Sequence, residues 1–216
     1  MARETFYTKY VKNAMDRVLG ILGLLCLSWL YAIIAIAIMV DDPGPILFKQ
    51  KRVGKKKNGE LTYFNILKFR SMKMSTPHDV PTHMLDHPEQ YITRVGRILR
   101  MTSADELPQI WNIAIPHNLS IIGPRPALWN QDDLVAEREK YGANDVMPGL
   151  TGWAQINGRD ELEIEDKARL DGEYVQKMSF AFDVKCFVGT IFSVLRSDGV
   201  VEGGTGSLGK KKGTRL

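Results

Sequence analysis

The sequence predicts a membrane-associated α/β domain, rich in helix with a small sheet, that follows an N-terminal apolar helix. Three features carry this expectation. Val18 to Val40 is a run of 23 residues without a charged side chain. Ile46–Gln50 and Tyr63–Phe69 are short apolar and aromatic runs around a Lys55–Gly59 turn, the pattern of paired strands. Most of the remaining chain alternates helix-length segments with turns marked by Pro and Gly.

As a helix, the apolar run extends roughly 35 Å, enough to cross a hydrocarbon core of ~30 Å. A cleaved signal peptide has a shorter apolar region, although Ala35 and Ala37 supply small residues of the kind found at cleavage sites. A buried helix that is apolar on every side needs a larger protein to cover it. A membrane helix fits best. Charge leaves its orientation open, because Arg3, Lys9, Lys12 and Arg17 precede it and Lys49, Lys51, Arg52, Lys55, Lys56 and Lys57 follow. One solution is a single span with the larger basic cluster inside. The other is a helix that enters one leaflet, bends and leaves by the same face. Ser28 lies mid-run, where a hydroxyl can bond back to a carbonyl and bend the helix.

Asp42-Pro43-Gly44-Pro45 ends that helix. Beyond the two strands, Ser75–Glu89 reads as a polar loop, and helices are expected at Tyr91–Arg100, Leu107–Ile115, Trp129–Tyr141, Ile164–Met178 and Ala181–Leu195. Gly123-Pro124-Arg125-Pro126 is a rigid turn, and Pro148–Gly152 another, followed by a short strand at Trp153–Ile156. The organisation expected is a membrane helix with its flanks over 1–45, one domain over 46–202 and a basic tail over 203–216.

The net charge of +4 is unevenly spread. Residues 1–73 carry 13 Lys/Arg against 5 Asp/Glu, and residues 74–208 carry 12 against 20. Positive charge that flanks an apolar segment suits an anionic membrane surface. A nucleic-acid partner is not expected, since aromatic and basic residues are little interleaved. Cys26 and Cys186 lie far apart in contexts that read as buried, without metal-ligand spacing, which argues against a disulfide framework and favours a reducing compartment. His78, His83 and His87 share the polar loop and His117 stands alone after Pro116; all four read as solvated. A Walker-type glycine loop is absent.

Chemistry is concentrated near Ser103-Ala104-Asp105-Glu106-Leu107-Pro108. Ser103 with Glu106 three residues later has the form of a capping box, and taken alone that explains the acidic pair best. Pro108 then falls beyond the favoured first helical position, which moves the helix start towards Glu106 or Leu107. There, two adjacent carboxylates at a helix start can share a Mg²⁺ with phosphate oxygens, and an aspartate can act as a nucleophile towards phosphorus. Arginines in rigid places favour the second reading. Arg125 sits between two prolines, Arg159 follows the tight-turn pair Asn157-Gly158, and Arg97 and Arg100 precede the acidic pair. With Lys68 they suggest a phosphate-handling cleft.

These motifs, in this order, resemble the small monotopic phosphoglycosyl transferases, also called bacterial sugar transferases. The matching stretches are Lys68-Phe69-Arg70-Ser71-Met72, Ala104 to Asn112 (ADELPQIWN), Ile122 to Pro126 (IGPRP) and Pro148 to Arg159 (PGLTGWAQINGR), within a likeness running from about Met15 to Val201. The resemblance implies a re-entrant membrane helix bent at Ser28 and a catalytic domain on the cytoplasmic face of the bacterial inner membrane. It further implies Mg²⁺-dependent transfer of a sugar phosphate from a UDP-sugar to undecaprenyl phosphate, with release of UMP. Asp105 would be the nucleophile that carries the phosphosugar covalently, and Glu106 its partner at the metal. Lys68, Arg100, Arg125 and Arg159 would bind the phosphates. Two departures stand out. Ser28-Trp29 replaces the family's Ser-Pro at the bend, and Pro116-His117-Asn118-Leu119-Ser120 stands where the family has Lys-Gly-Asp-Met-Ser, in a stretch before the GPRP turn that is one residue longer. A non-catalytic membrane scaffold that binds anionic headgroups is the alternative.

Overall fold

A computed structural model describes residues 5–76, 87–158 and 162–196. Its first element, α1 (Lys12–Asp41), is an unbroken 30-residue helix preceded by a π-helical turn at Tyr7–Val11. At about 1.5 Å per residue it is roughly 45 Å long. It is long and apolar enough to cross a membrane, and its most apolar window is 11% buried. The helix runs through Ser28 without interruption, and the Ser28 hydroxyl donates to the Leu25 carbonyl at 2.9 Å.

The two sides of α1 do different things. Lys12, Asp16, Gly20, Ile34 and Ile38 are buried at helical spacing against the rest of the chain. Val18, Leu22, Leu25, Trp29, Ile33, Ile36 and Val40 repeat at the same period on the opposite side and are exposed. Cys26, expected to be buried, is exposed as well. Gly20 makes the close seat possible: a Cβ there would stand 3.1 Å from the Ala114 backbone.

β1 (Leu47–Val53) and β2 (Tyr63–Phe69) form an antiparallel hairpin, paired from Leu47 with Phe69 to Val53 with Tyr63. Its tip is closed by reciprocal Lys57–Glu60 bonds around Asn58 and Gly59, both at positive φ, as a two-residue hairpin turn requires. After α2 (Arg94–Met101) and α3 (Gln109–Ala114) comes β3 (Ser120–Ile122). It pairs in parallel with β4 (Gly149–Thr151), so the described strands make two small sheets rather than one. α4 (Asp132–Glu139) lies between β3 and β4 in sequence, and α5 (Trp153–Ile156), α6 (Ile164–Lys177) and α7 (Phe180–Arg196) complete the order.

Trp153–Ile156 is therefore a helical turn, not the strand its apolar residues suggested; the strand lies just before it at Gly149–Thr151. Gly149 and Gly152 press against the Gly123 backbone so closely that a Cβ on either would stand 2.1 Å from it. The strand is set by that backbone contact, which apolar patterning does not report. The helix expected from Tyr91 starts at Arg94 because Thr93 caps it by accepting from the Gly96 N–H; Pro88–Tyr91 form a separate 3-10 turn.

Among the described residues, three buried clusters hold these pieces together. Ile34 and Ile38 of α1 pack with Phe69 and Leu99, Val53 packs with Ala127 and Leu134, and Ile122 packs with Tyr174 and Cys186. Charged groups buried in pairs add to them. Arg138 reaches Asp171 at 2.5 Å, and Lys12 reaches Asp183 at 2.6 Å, where the hydroxyls of Tyr7 and Tyr174 also donate. His117, expected to be solvated, lies with its ring nitrogens 3.1 Å from the Ile113 carbonyl and 3.2 Å from Asn13 Oδ1.

Candidate active site

The acidic pair sits in a short, tightly held turn between α2 and α3. Ser103 is in the left-handed region at φ 56°, and Ala104–Glu106 form one 3-10 turn. Pro108 stands at the cap of α3, where its missing N–H costs nothing. The capping-box expectation is not met. The Ser103 side chain caps nothing, and the Glu106 carboxylate turns away to meet cations.

Those cations arrive from two different elements. Lys68, the penultimate residue of β2, donates to Glu106 Oε1 at 2.8 Å. Arg125 donates from Nη2 to Oε1 at 2.5 Å and from Nη1 to Oε2 at 3.3 Å, a two-point grip on the same carboxylate. The backbone around Arg125 is fixed on both sides. Gly123 N–H donates to Thr151 at 2.8 Å, Gly149 N–H donates to Pro124 at 2.9 Å, and the hairpin's Val53 N–H donates to Ala127 at 2.9 Å. The proline-framed turn thus aims the guanidinium.

Asp105 is treated differently. It is 9% exposed, and among the described residues its carboxylate accepts no hydrogen bond; Lys68 Nζ is 4.0 Å from Oδ2. Burial raises its pKa above the usual aspartate value, Lys68 opposes that shift, the Glu106 charge adds to it, and Arg100 and Arg125 oppose it. For Glu106, burial also favours the neutral form, but Arg125 and Lys68 overcome it and hold the carboxyl far below the usual range. The dipeptide therefore contains one committed carboxylate and one held in reserve.

Of the residues expected at the site, Asp105, Glu106, Lys68 and Arg125 come together. Arg100, in the last turn of α2, is oriented by Ser71, whose hydroxyl accepts from Nε at 2.9 Å, and its charge acts on Asp105. Arg159 lies outside the described residues. Ser71 stands beside Arg70 in the first matching stretch yet drew no attention, because a serine carries no chemistry of its own there. Asn112 was also missed. Its side chain accepts from the Leu67 N–H at 3.0 Å and donates to the Asn65 carbonyl at 2.9 Å, fastening α3 to the strand that carries Lys68.

No group of three or more His, Cys, Asp or Glu side chains is placed to hold a metal among the described residues. The donor set present is two neighbouring carboxylates, one already carrying two cations. That fits a Mg²⁺ drawing most of its oxygens from phosphates and water, and does not fit an ion caged by protein.

The model of one protein family, described as bacterial sugar transferase, matches residues 7–197. The chain belongs to that family. Among its family relatives is the UDP-glucose:undecaprenyl-phosphate glucose-1-phosphate transferase of Escherichia coli (strain K12), 38% identical over 197 residues, which cover 85% of this chain and 40% of the relative. The undecaprenyl-phosphate glucose phosphotransferase of Komagataeibacter xylinus is 37% identical over 83% of this chain and 35% of its own length. The sugar transferase EpsL of Bacillus subtilis (strain 168) is 36% identical over 88% of this chain and 90% of its own. This chain therefore spans well under half of the first two relatives and nearly all of the third.

Proposed function

We propose that this family member transfers a sugar 1-phosphate from a UDP-sugar to undecaprenyl phosphate, releasing UMP, as the first membrane step of bacterial surface polysaccharide or glycoconjugate synthesis. One observation carries the reading. Within a single dipeptide, Glu106 is gripped by Lys68 and Arg125 while Asp105 is buried beside them without a hydrogen bond among the described residues. A desolvated, unbonded carboxylate gives up little in order to attack. The cations around it match the charge of a diphosphate.

In the first step a carboxylate oxygen of Asp105 attacks the phosphorus that bears the sugar. An aspartyl P–O bond forms, the bridging P–O bond breaks, and UMP leaves with the electron pair. In the second step a phosphate oxygen of undecaprenyl phosphate attacks the same phosphorus. The aspartyl bond breaks, Asp105 returns to a carboxylate, and a polyprenyl-diphosphate sugar is formed. Lys68, Arg100 and Arg125 hold the phosphate oxygens on which charge accumulates, and Arg159 joins them in this proposal. A Mg²⁺ shared by Asp105, Glu106 and the diphosphate would neutralise part of that charge.

The same reading keeps both ends of α1 on one side, with the domain on the cytoplasmic face of the inner membrane, although the bend expected at Ser28 is not seen in the unbroken helix. Both ends of α1 are fastened to one domain: Lys12 to Asp183 of α7 at the start, and Asp42, just past its end, to Arg70 at 3.1 Å. A domain on one side of a bilayer can hold both ends only if both emerge on that side. The outward apolar stripe then faces lipid, and the basic flanks face anionic headgroups. The test is a UMP-release screen over a panel of UDP-sugars with undecaprenyl phosphate. Release that needs both substrates in steady state supports the proposal; none with any UDP-sugar refutes it.

A further inference from the structure

The membrane helix reaches the turn that carries the reacting groups. Tyr31, on the inward side of α1, donates from its hydroxyl to the Leu107 carbonyl at 2.6 Å. Leu107 follows Glu106 directly. Its N–H donates to the Ala104 carbonyl at 3.2 Å, and its carbonyl also accepts from the Ile110 N–H at 3.0 Å. Leu107 joins the 3-10 turn to α3 through its N–H on one side and its carbonyl on the other, and Tyr31 holds the carbonyl. The Tyr31 ring leans on Phe69, the residue after Lys68, with centroids 5.5 Å apart. A single side chain of α1 therefore touches the turn bearing Asp105 and Glu106 and the strand bearing Lys68.

The turn needs such outside support. Its own bonds are i to i+3 contacts of 3.2 Å, a geometry weaker than that of an α-helix, and it opens on a left-handed serine. Ala104 and Leu107, on either side of the acidic pair, pack into the cluster built by Ile34 and Ile38 of α1. The acidic side chains point the other way, towards Lys68 and Arg125.

We infer that Tyr31 is a positioning residue for the Asp105–Glu106 turn, so that the seat of the membrane helix sets how fast the nucleophile reacts. It touches no reacting atom and acts through the Leu107 peptide. The inference rests on the proposed two-step transfer for its consequence, but its geometry stands apart from it. Misplacing reacting groups by about 1 Å is enough to slow a step by about 10²-fold.

Tyr31→Phe removes one oxygen and keeps the ring against Phe69. The test uses the full chain in detergent or nanodiscs, with UDP-sugar and no lipid acceptor, and follows the first turnover of UMP release. The expected result is a first-turnover rate lower by about tenfold, with the UDP-sugar concentration at half-maximal rate unchanged. Peptides covering 103–108 should also exchange amide hydrogen faster. Ile38→Val, which trims the same cluster and leaves the hydroxyl bond, serves as the packing control and should keep the rate. A wild-type rate in Tyr31→Phe, or an equal rate loss in Ile38→Val, overturns the inference. Should the wild-type chain release no UMP, exchange decides alone: faster exchange at 103–108 in Tyr31→Phe upholds the positioning role while the reaction fails, and unchanged exchange overturns both.

Discussion

Arg125 grips Glu106 through both terminal nitrogens, and that grip separates two adjacent carboxylates into different roles. Glu106 organises the cations while Asp105 stays open to a substrate. A lysine at position 125 keeps the charge but loses the two-point geometry. Arg125→Lys is expected to lower kcat/KM for UMP release by about 10²-fold while the protein folds normally. Steady-state kinetics alongside thermal melting checks this; equal activity in the variant would remove Arg125 from the site.

Asp105 pays for its position in stability. Burial, the main cause, raises its pKa, so its protonated form is the one the fold favours. Stability linked to this group is fully present below the unfolded pKa and is lost as pH rises through the raised folded value. Asp105→Asn should accordingly end activity yet stabilise the protein near neutral pH by about 0.5–2 kcal/mol, narrowing as pH falls into the acid range. Melting curves of both proteins across pH 4–8 test the sign.

The opposite holds for Glu106. Its depressed pKa means stability that is present above the usual glutamate value and lost only as pH falls through the lower folded value. Glu106→Gln leaves Lys68 and Arg125 without their shared carboxylate and should cost about 2 kcal/mol at neutral pH, with activity lost as well. A variant as stable as the parent at pH 7 would contradict the pairing described.

Much of this site was legible in the sequence, for identifiable reasons. Arg125 between two prolines and Asp105-Glu106 before Pro108 are local, rigid arrangements, and local rigidity is what a sequence reports well. The capping-box reading of Ser103 and Glu106 failed because the cations that claim Glu106 come from β2 and from the turn after β3, contacts between distant parts of the chain. Trp153–Ile156 misled for a related reason: the strand was decided by glycine backbones meeting at Gly123. His117 looked solvated because its partner Asn13 lies on α1, 104 positions away. Tyr31 is hidden within an apolar run that reads as membrane helix alone, since only the fold brings it to Leu107.

Topology has its own test. With Cys26 replaced and the fully buried Cys186 retained, single cysteines at Thr8 and Lys55 flank α1. A membrane-impermeant thiol reagent should label both from the cytoplasmic side of oriented vesicles. Labelling of the two from opposite sides would mean a spanning helix.

The account turns on Asp105 as the nucleophile. Intact-protein mass spectrometry after incubation with a UDP-sugar substrate, without undecaprenyl phosphate, should show one added phosphosugar that maps to Asp105 and is absent in Asp105→Asn. It should disappear when the lipid acceptor is supplied. Turnover without any such adduct, or an adduct that persists in Asp105→Asn, would contradict it.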